Sequence, residues 1–257
     1  MSQREIIATV KRDYIVDLAE EGKRVDARDM DQYRDINIET NWAGNAEGSA
    51  LVDLGKTKVL AGVKIERGTP YPDKPEEGVL ITNAELAPMA HESFEAGPPG
   101  EEATELARVV DRGIRESEMI ELDKLCIEPE EEVWMIHVDL HILDHDGNLI
   151  DASSLASVAA LLSTEPPEDE EDWELSEFPV KEKPITTTFA RIKDTIMADP
   201  CLVEENAMDA RFSIATLENG NICAMQKGGS GTLSKEDLLN AHELAKVKSK
   251  EIREKLD

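Results

Sequence analysis

The sequence predicts an α+β protein built from two βα-type halves, and three observations carry that expectation. Strand-like and helix-like runs succeed one another twice, once before residue 164 and once after residue 184. Between them lies TEPPEDEEDWELSEFPVKEKP, whose four prolines and acidic run have the composition of a connection. Near the end of the first half, ASSLASVAALLS consists of small and apolar residues, the pattern of a tightly packed, buried helix. The 257 residues therefore divide into an N-terminal helix and basic segment (1–30), a first half (31–164), the acidic connection (165–184) and a second half (185–257).

The elements follow in order. Ile6, Ile7, Val10, Tyr14 and Leu18 recur at helical spacing and predict an amphipathic helix over residues 3–20. After the basic GKRVDARD segment, INIETNWA and SALVDLGKTKVLAGVKIE read as strands, the latter a hairpin that pauses at Gly55-Lys56-Thr57. The Pro- and Gly-rich stretch 66–100 holds one short apolar strand, GVLITNAEL. A helix is expected over about 101–123, then a strand at VWMIHVDLHIL, a turn at DHDGN and the small-residue helix. In the second half ITTTFARI is a strand, and RFSIATLENGNICAMQKGG is a hairpin around Asn219-Gly220. The final helix spans about Ser234 to Leu256, with Ser234 and Asp237 at capping-box spacing. Only 4% of residues are aromatic, so Ala, Val, Leu and Ile must supply the interior.

Charge and cysteine usage bound the function. A formal net charge of −28 argues against diffuse binding to nucleic acid over the whole surface, but leaves room for a local basic site or a more basic partner. The three cysteines, Cys126, Cys201 and Cys223, are odd in number and far apart, which disfavours a disulfide framework or a structural zinc site and suits a reducing cytoplasm. The charged start MSQREIIATVKRDYIV lacks a secretory pattern, and no apolar stretch is long enough to span a bilayer.

Against this acidic background, Arg108, Arg112 and Arg115 stand four and three residues apart, on one stripe of the predicted helix. Their planar guanidiniums suit phosphate recognition; the plain alternative is pairing with Glu101, Glu102, Glu105 and Glu116 along a solvated face. His137, Asp139 and His141 alternate on one strand face, as metal ligands would, or as the polar side of a half-buried strand. Asp144-His-Asp146-Gly147 lacks the later residues of a calcium loop and reads as a turn. Lys227-Gly228-Gly229-Ser230-Gly231-Thr232 lacks phosphate-loop spacing and reads as a strand-to-helix turn. Asp199, Glu204, Glu205 and Asp209 cluster in the second half, as a Mg²⁺ site would need; composition favours a solvated acidic loop.

Taken together, GKRVDARDMDQYRDI, GSALVDLGKTKVLAGVKIE, ELARVVDRGIRES, the DHDGN turn entering a small-residue helix, and DPCLVEENAMDARFSIAT resemble the RNase PH family. Within it the chain is most similar to the non-catalytic ring subunit of the archaeal exosome. The resemblance implies an RNase PH-like α+β fold and a hexameric ring, a trimer of heterodimers with a catalytic RNase PH-like paralogue. It further implies single-stranded RNA in the central channel, RNA-binding cap subunits on one face, no membrane and no cofactor.

Active members of the family are phosphorolytic 3′-to-5′ exoribonucleases whose phosphate loop reads Asp-Gly-Gly-Thr-Arg-Thr. The matching stretch here is Asp146-Gly147-Asn148-Leu149-Ile150-Asp151, with Ile150 at the arginine position and a carboxylate beside it. Glu205 replaces the family's first aspartate, and Asp209, at contracted spacing, matches the second. The resemblance thus implies a subunit with no catalytic residues of its own, presenting Arg112 and Arg115 to the RNA 3′ end. Arg108, one turn earlier, serves RNA or the subunit interface. Two other readings remain open: an active phosphorolytic enzyme using Glu205 and Asp209, and a metal-dependent hydrolase using His137, Asp139 and His141.

Overall fold

Gly55 and Lys56 reverse the chain in a two-residue loop, Gly55 supplying a φ of +61°, so that β2 (Gly48–Leu54) pairs antiparallel with β3 (Thr57–Gly68). In this computed structural model, described over residues 3–167, 173 and 175–256, the hairpin forms part of the first sheet. β1 (Ile36–Thr40) flanks β2, and β6 (Glu132–Asp144) pairs with β3 in the order β1-β2-β3-β6-β4. β4 (Val79–Leu86) is parallel to β6, and the short β5 (Cys126–Glu128) pairs with one end of β6.

Register explains the core. Val59, Ala61, Val63 and Ile65 oppose Ile142, Leu140, Val138 and Ile136, and all eight are buried. Each such aliphatic side chain larger than alanine contributes about 2 kcal/mol by leaving water. The reverse face of β6 carries His137, Asp139 and His141, the half-buried polar side expected of an alternating strand.

The small-residue helix α3 (Leu149–Leu162) lies against β2 and β3 on one side and β7 on the other, and every residue from Leu149 to Leu161 is buried. Ala and Ser along its length let both sheets approach. The second sheet has the order β10-β9-β7-β8, from β7 (Ile185–Ile192), β8 (Thr195–Ala198), β9 (Ala210–Thr216) and β10 (Ile222–Gly228), all antiparallel. A helix that packs on β7 and β9, Lys235–Arg253, starts at the expected capping box: Ser234 Oγ accepts from Asp237 N at 3.1 Å, and Asp237 Oδ2 accepts from Ser234 N at 2.8 Å.

Several expectations need correction. The N-terminal helix α1 (Gln3–Glu20) buries Ile15, Val16 and Ala19, whereas Val10 and Tyr14 are exposed. Its buried side is thus rotated from the expected stripe, because it packs on Ala190, Ile192, Met197 and Ala207. The arginine helix α2 (Glu101–Glu116) stops short of residue 123: Glu118 turns left-handed at φ +53°, and Met119 and Ile120 enter the core. A separate 3₁₀ turn then spans Leu122–Leu125. The connection also packs against the first half: Trp173 lies 5.3 Å from Trp134, and Phe178 is buried. Its acidic run, residues 168–172, falls outside the described residues.

Where the halves meet, Gly147 has φ +88°, and a Cβ there would lie 2.4 Å from Leu202 N and 2.5 Å from Cys201 C. Neither backbone atom can yield. Gly147→Ala is therefore expected to destabilise the chain by about 2–4 kcal/mol, read as a lower urea midpoint; an unchanged midpoint would contradict this close approach.

Candidate functional site

The DHDGN turn feeds α3 through Asn148, which has φ +56° and ψ +46°, a left-handed conformation that asparagine tolerates better than other side-chain-bearing residues. It stands where the family loop has its second glycine. From there its backbone N–H donates to Glu205 Oε1 at 2.9 Å, and its Nδ2 donates to Asp151 Oδ2 and Asp199 Oδ1, both at 2.8 Å. A helix N-terminus is a natural anion site, and here the protein's own carboxylate takes it.

Asp199 is fully buried and is the most heavily bonded carboxylate of the cluster. Arg34 donates from Nε at 2.9 Å, from Nη2 at 2.7 Å and from its backbone N at 2.8 Å, while Arg28 Nη1 donates at 2.9 Å. Burial alone would disfavour its charge, but the hydrogen bonds and charge of Arg34 outweigh that and hold Asp199 below the usual carboxylate range. Arg34 also donates to the Asp146 carbonyl at 2.7 Å. Arg24, likewise buried, grips Glu204 with Nε at 2.9 Å and Nη2 at 2.5 Å.

Among the described residues, no cation contacts Asp151. It accepts from Tyr33 Oη (2.7 Å), Thr188 N (2.9 Å), Thr188 Oγ1 (2.7 Å) and Asn148 Nδ2. Burial pushes its pKa up to about 6 against the pull of those bonds. Ile150, at the family's arginine position, is turned into the main core and is 4% exposed. Asn148, Asp151 and Glu205 thus form one cluster, with Asp199 at its centre.

Asp209 is not part of it. Its Oδ1 accepts from Arg12 at 3.1 Å, its Oδ2 from Lys193 N at 2.8 Å, and its carbonyl from Gly231 N at 2.7 Å. Asp209 N bonds to the Arg191 carbonyl as the chain opens β9, which turns the carboxylate toward α1 rather than toward Glu205. The cation nearest Glu205 from this strand is Arg211. The acidic cluster is also no solvated loop, since Asp199 and Glu204 are among the most buried polar residues.

The other candidates separate. His137 pairs with Glu66 (2.9 Å), His141 with Glu85 (3.1 Å), and Asp139 accepts from Asn83 (3.1 Å). No group of three His, Cys, Asp or Glu suited to a metal occurs among the described residues. The glycine-rich segment is a strand-to-helix turn, with Arg191 Nη1 donating to the Thr232 carbonyl at 3.1 Å.

On α2 the three arginines have different surroundings, and pairing with Glu101, Glu102, Glu105 and Glu116 is not what the helix does. Arg108 is exposed and has no ion pair or hydrogen bond among the described residues. Arg112, also exposed, donates to the neutral amide of Gln226, Oε1 at 3.2 Å, and has no ion pair among the described residues. Arg115 is gripped in a fork by Asp111 at 3.0 and 3.1 Å and donates to the Leu80 carbonyl at 3.0 Å. Arg108 and Arg112 line a groove of about 620 Å³ together with Glu101, Glu105, Thr104 and Gln226.

Sequence reasoning missed Arg24, Arg28, Tyr33, Arg34 and Thr188. The visible signal was opposite charge: a basic segment after the N-terminal helix and an acidic one in the second half, each without periodicity. Glu205 supplies a test. Burial raises its pKa to about 7 from 4.5, so its stabilising contribution is complete below 4.5 and is lost as pH rises through 7. Glu205→Gln keeps the acceptor for Asn148 N–H and cannot ionise. It should raise the thermal midpoint at pH 8 and leave it unchanged at pH 4.5; equal midpoints at pH 8 would contradict the burial.

Residues 32–167 match domain 1 of the 3′ exoribonuclease family, RNase PH, and residues 183–248 match domain 2. The chain is 50% identical over its full length to exosome complex component Rrp42 of Thermococcus kodakarensis, covering 97% of that relative. It is 49% identical to the component of the same name in Methanothermobacter thermautotrophicus, again over its whole length and 98% of the relative. A chain of the Archaeoglobus fulgidus exosome with RNA bound to the active site superposes with a TM-score of 0.94 at 43% identity, covering 98% of this chain and 100% of that one. A chain of an archaeal exosome core gives 0.89 at 41% identity, over 99% of both. With both domains matched in order and half of all residues shared with full-length relatives, the chain belongs to the 3′ exoribonuclease family of RNase PH type.

Proposed function

We propose that this chain is a non-catalytic ring component of an archaeal-type exosome, a 3′-to-5′ RNA-degrading complex. In this reading it binds RNA and shapes the active site of a neighbouring catalytic paralogue. The observation that carries the reading is the self-occupied anion site. Phosphorolysis needs a cationic clamp for attacking phosphate, and here the α3 N-terminus is engaged by Glu205, Arg28 and Arg34 by Asp199, and Arg24 by Glu204. An incoming anion would also face the charged carboxylates of Asp199 and Asp151; one such repulsion at 4 Å costs about 4 kcal/mol at an effective dielectric of 20.

RNA binding falls to the α2 face. Arg108 and Arg112 keep their charge uncancelled, so they carry most of the attraction for phosphates, while Arg115, its charge shared with Asp111, anchors the helix to β4. The likeness to chains of archaeal exosome structures supports a hexameric ring, a trimer of heterodimers with a paralogue that keeps the Thr-Arg loop and both aspartates. RNA-binding caps and single-stranded RNA in the channel belong to the same reading. The free thiols of Cys126, Cys201 and Cys223 support a cytoplasmic setting. The rival reading, phosphorolysis by Glu205 and Asp209, is disfavoured because these carboxylates bond to different parts of the fold.

Incubated alone with RNA bearing a free 3′ end, phosphate and Mg²⁺, the chain should release no nucleoside diphosphate, and release should begin once the paralogue is added. In the assembled ring, Arg108→Glu with Arg112→Glu should weaken RNA binding and make its salt dependence shallower, by about 0.7 in log–log slope for each phosphate no longer neutralised. Diphosphate release by the purified chain alone would overturn the proposal.

A further inference from the structure

Arg112 is held by an unusual partner for an exposed guanidinium in so acidic a chain: a neutral amide. Gln226 lies on β10, the edge strand of the second sheet, and its Oε1 accepts from Arg112 Nη2 at 3.2 Å. Its Nε2 reaches Glu105 Oε1 at 3.4 Å, and that same oxygen accepts from Arg211 Nη2 at 2.9 Å. A continuous path thus runs from Arg211 through Glu105 and Gln226 to Arg112, joining β9 and β10 to α2.

Each link has an electrostatic consequence. Glu105 stands three residues before Arg108 on α2, a spacing at which the two would ordinarily pair. Arg211 holds Glu105 instead, and Arg108 is left without a partner among the described residues. Gln226 fixes the direction of Arg112 with a carbonyl dipole, which orders the guanidinium without cancelling its charge. A carboxylate in its place would orient Arg112 equally well and neutralise it.

We infer that Gln226 is a positioning residue for RNA binding: it presents the charged Arg112 guanidinium to an RNA phosphate in the groove between α2 and β10, while Arg211 withdraws Glu105 from the neighbouring Arg108. The inference rests on the RNA-binding reading of Arg112 above and adds the residue that aims it.

The test uses the ring assembled with its catalytic paralogue, its mass verified for each variant, and a single-stranded oligoribonucleotide titrated at several salt concentrations. Gln226→Met, similar in length but with no acceptor, should weaken binding about threefold to tenfold, the scale of one typical intramolecular hydrogen bond, and keep the salt slope. Gln226→Glu should approach the affinity of Arg112→Met and share its shallower slope. In the Arg112→Met background neither change at Gln226 should matter further. If Arg112→Met weakens binding while both Gln226 variants bind like the parent ring, the positioning role is wrong and the RNA-binding reading stands. A Gln226→Met loss that persists undiminished without Arg112 would likewise overturn the role. If Arg112→Met itself changes nothing, the RNA-binding reading falls, and the positioning role with it.

Discussion

The buried carboxylate of Asp199 is the constraint on which the rest of the molecule depends. It gathers Arg28 and Arg34 from the irregular segment after α1 and Asn148 from the start of α3, while itself sitting at φ +47° just after β8. Three parts of the chain distant in sequence are thereby tied at one point. A buried charge that loses a partner costs about 3–5 kcal/mol, so each of these residues requires the others. Arg24 and Glu204 repeat the arrangement close by, with Arg24 also donating to the carbonyls of Ala198 and Asp199 at 2.8 Å. The segment between α1 and β1, which has no regular secondary structure, owes its position largely to these bonds.

The same arrangement divides the molecule into two electrostatic regions. At the junction of the halves, cations and helix N–H groups are satisfied internally by the chain's own carboxylates, which on the proposed reading closes the site to an external anion. On α2, the sequence places arginines on the surface and the second sheet keeps their charge available, through Arg211 on Glu105 and Gln226 on Arg112. On the proposed reading, a chain with net charge −28 meets RNA at this one small face while the rest of its surface repels it.

Much of the fold was legible because long elements declare themselves by period. The β2–β3 hairpin, β6, the buried α3 and the Ser234-capped final helix all follow from alternation, turn residues or capping spacing. Short elements did not: β5, β8 and the single turn Leu202–Glu205 contain three or four residues each, too few for any period to register. The rotation of α1 was hidden because its partners, Ala190, Ile192, Met197 and Ala207, lie far along the chain. In the site, Asn148 and Asp151 were found through the altered phosphate loop, and Glu205 through the altered acid pair. Asp209 was misplaced because counting residues along a turn does not say which way the next strand faces. Arg24, Arg28 and Arg34 were invisible as a group, since ion pairs across more than a hundred residues leave no local pattern.

The most direct test of this account is a titration of the purified chain with orthophosphate, followed by ³¹P NMR line shape and by calorimetry. With Glu205 on the α3 N-terminus and Asp199 on Arg28 and Arg34, phosphate should show only weak, non-saturating association at any accessible concentration. Saturable binding with one site per chain, abolished by Arg34→Met, would mean that the cations of this cluster are open to an external anion, and would contradict the account.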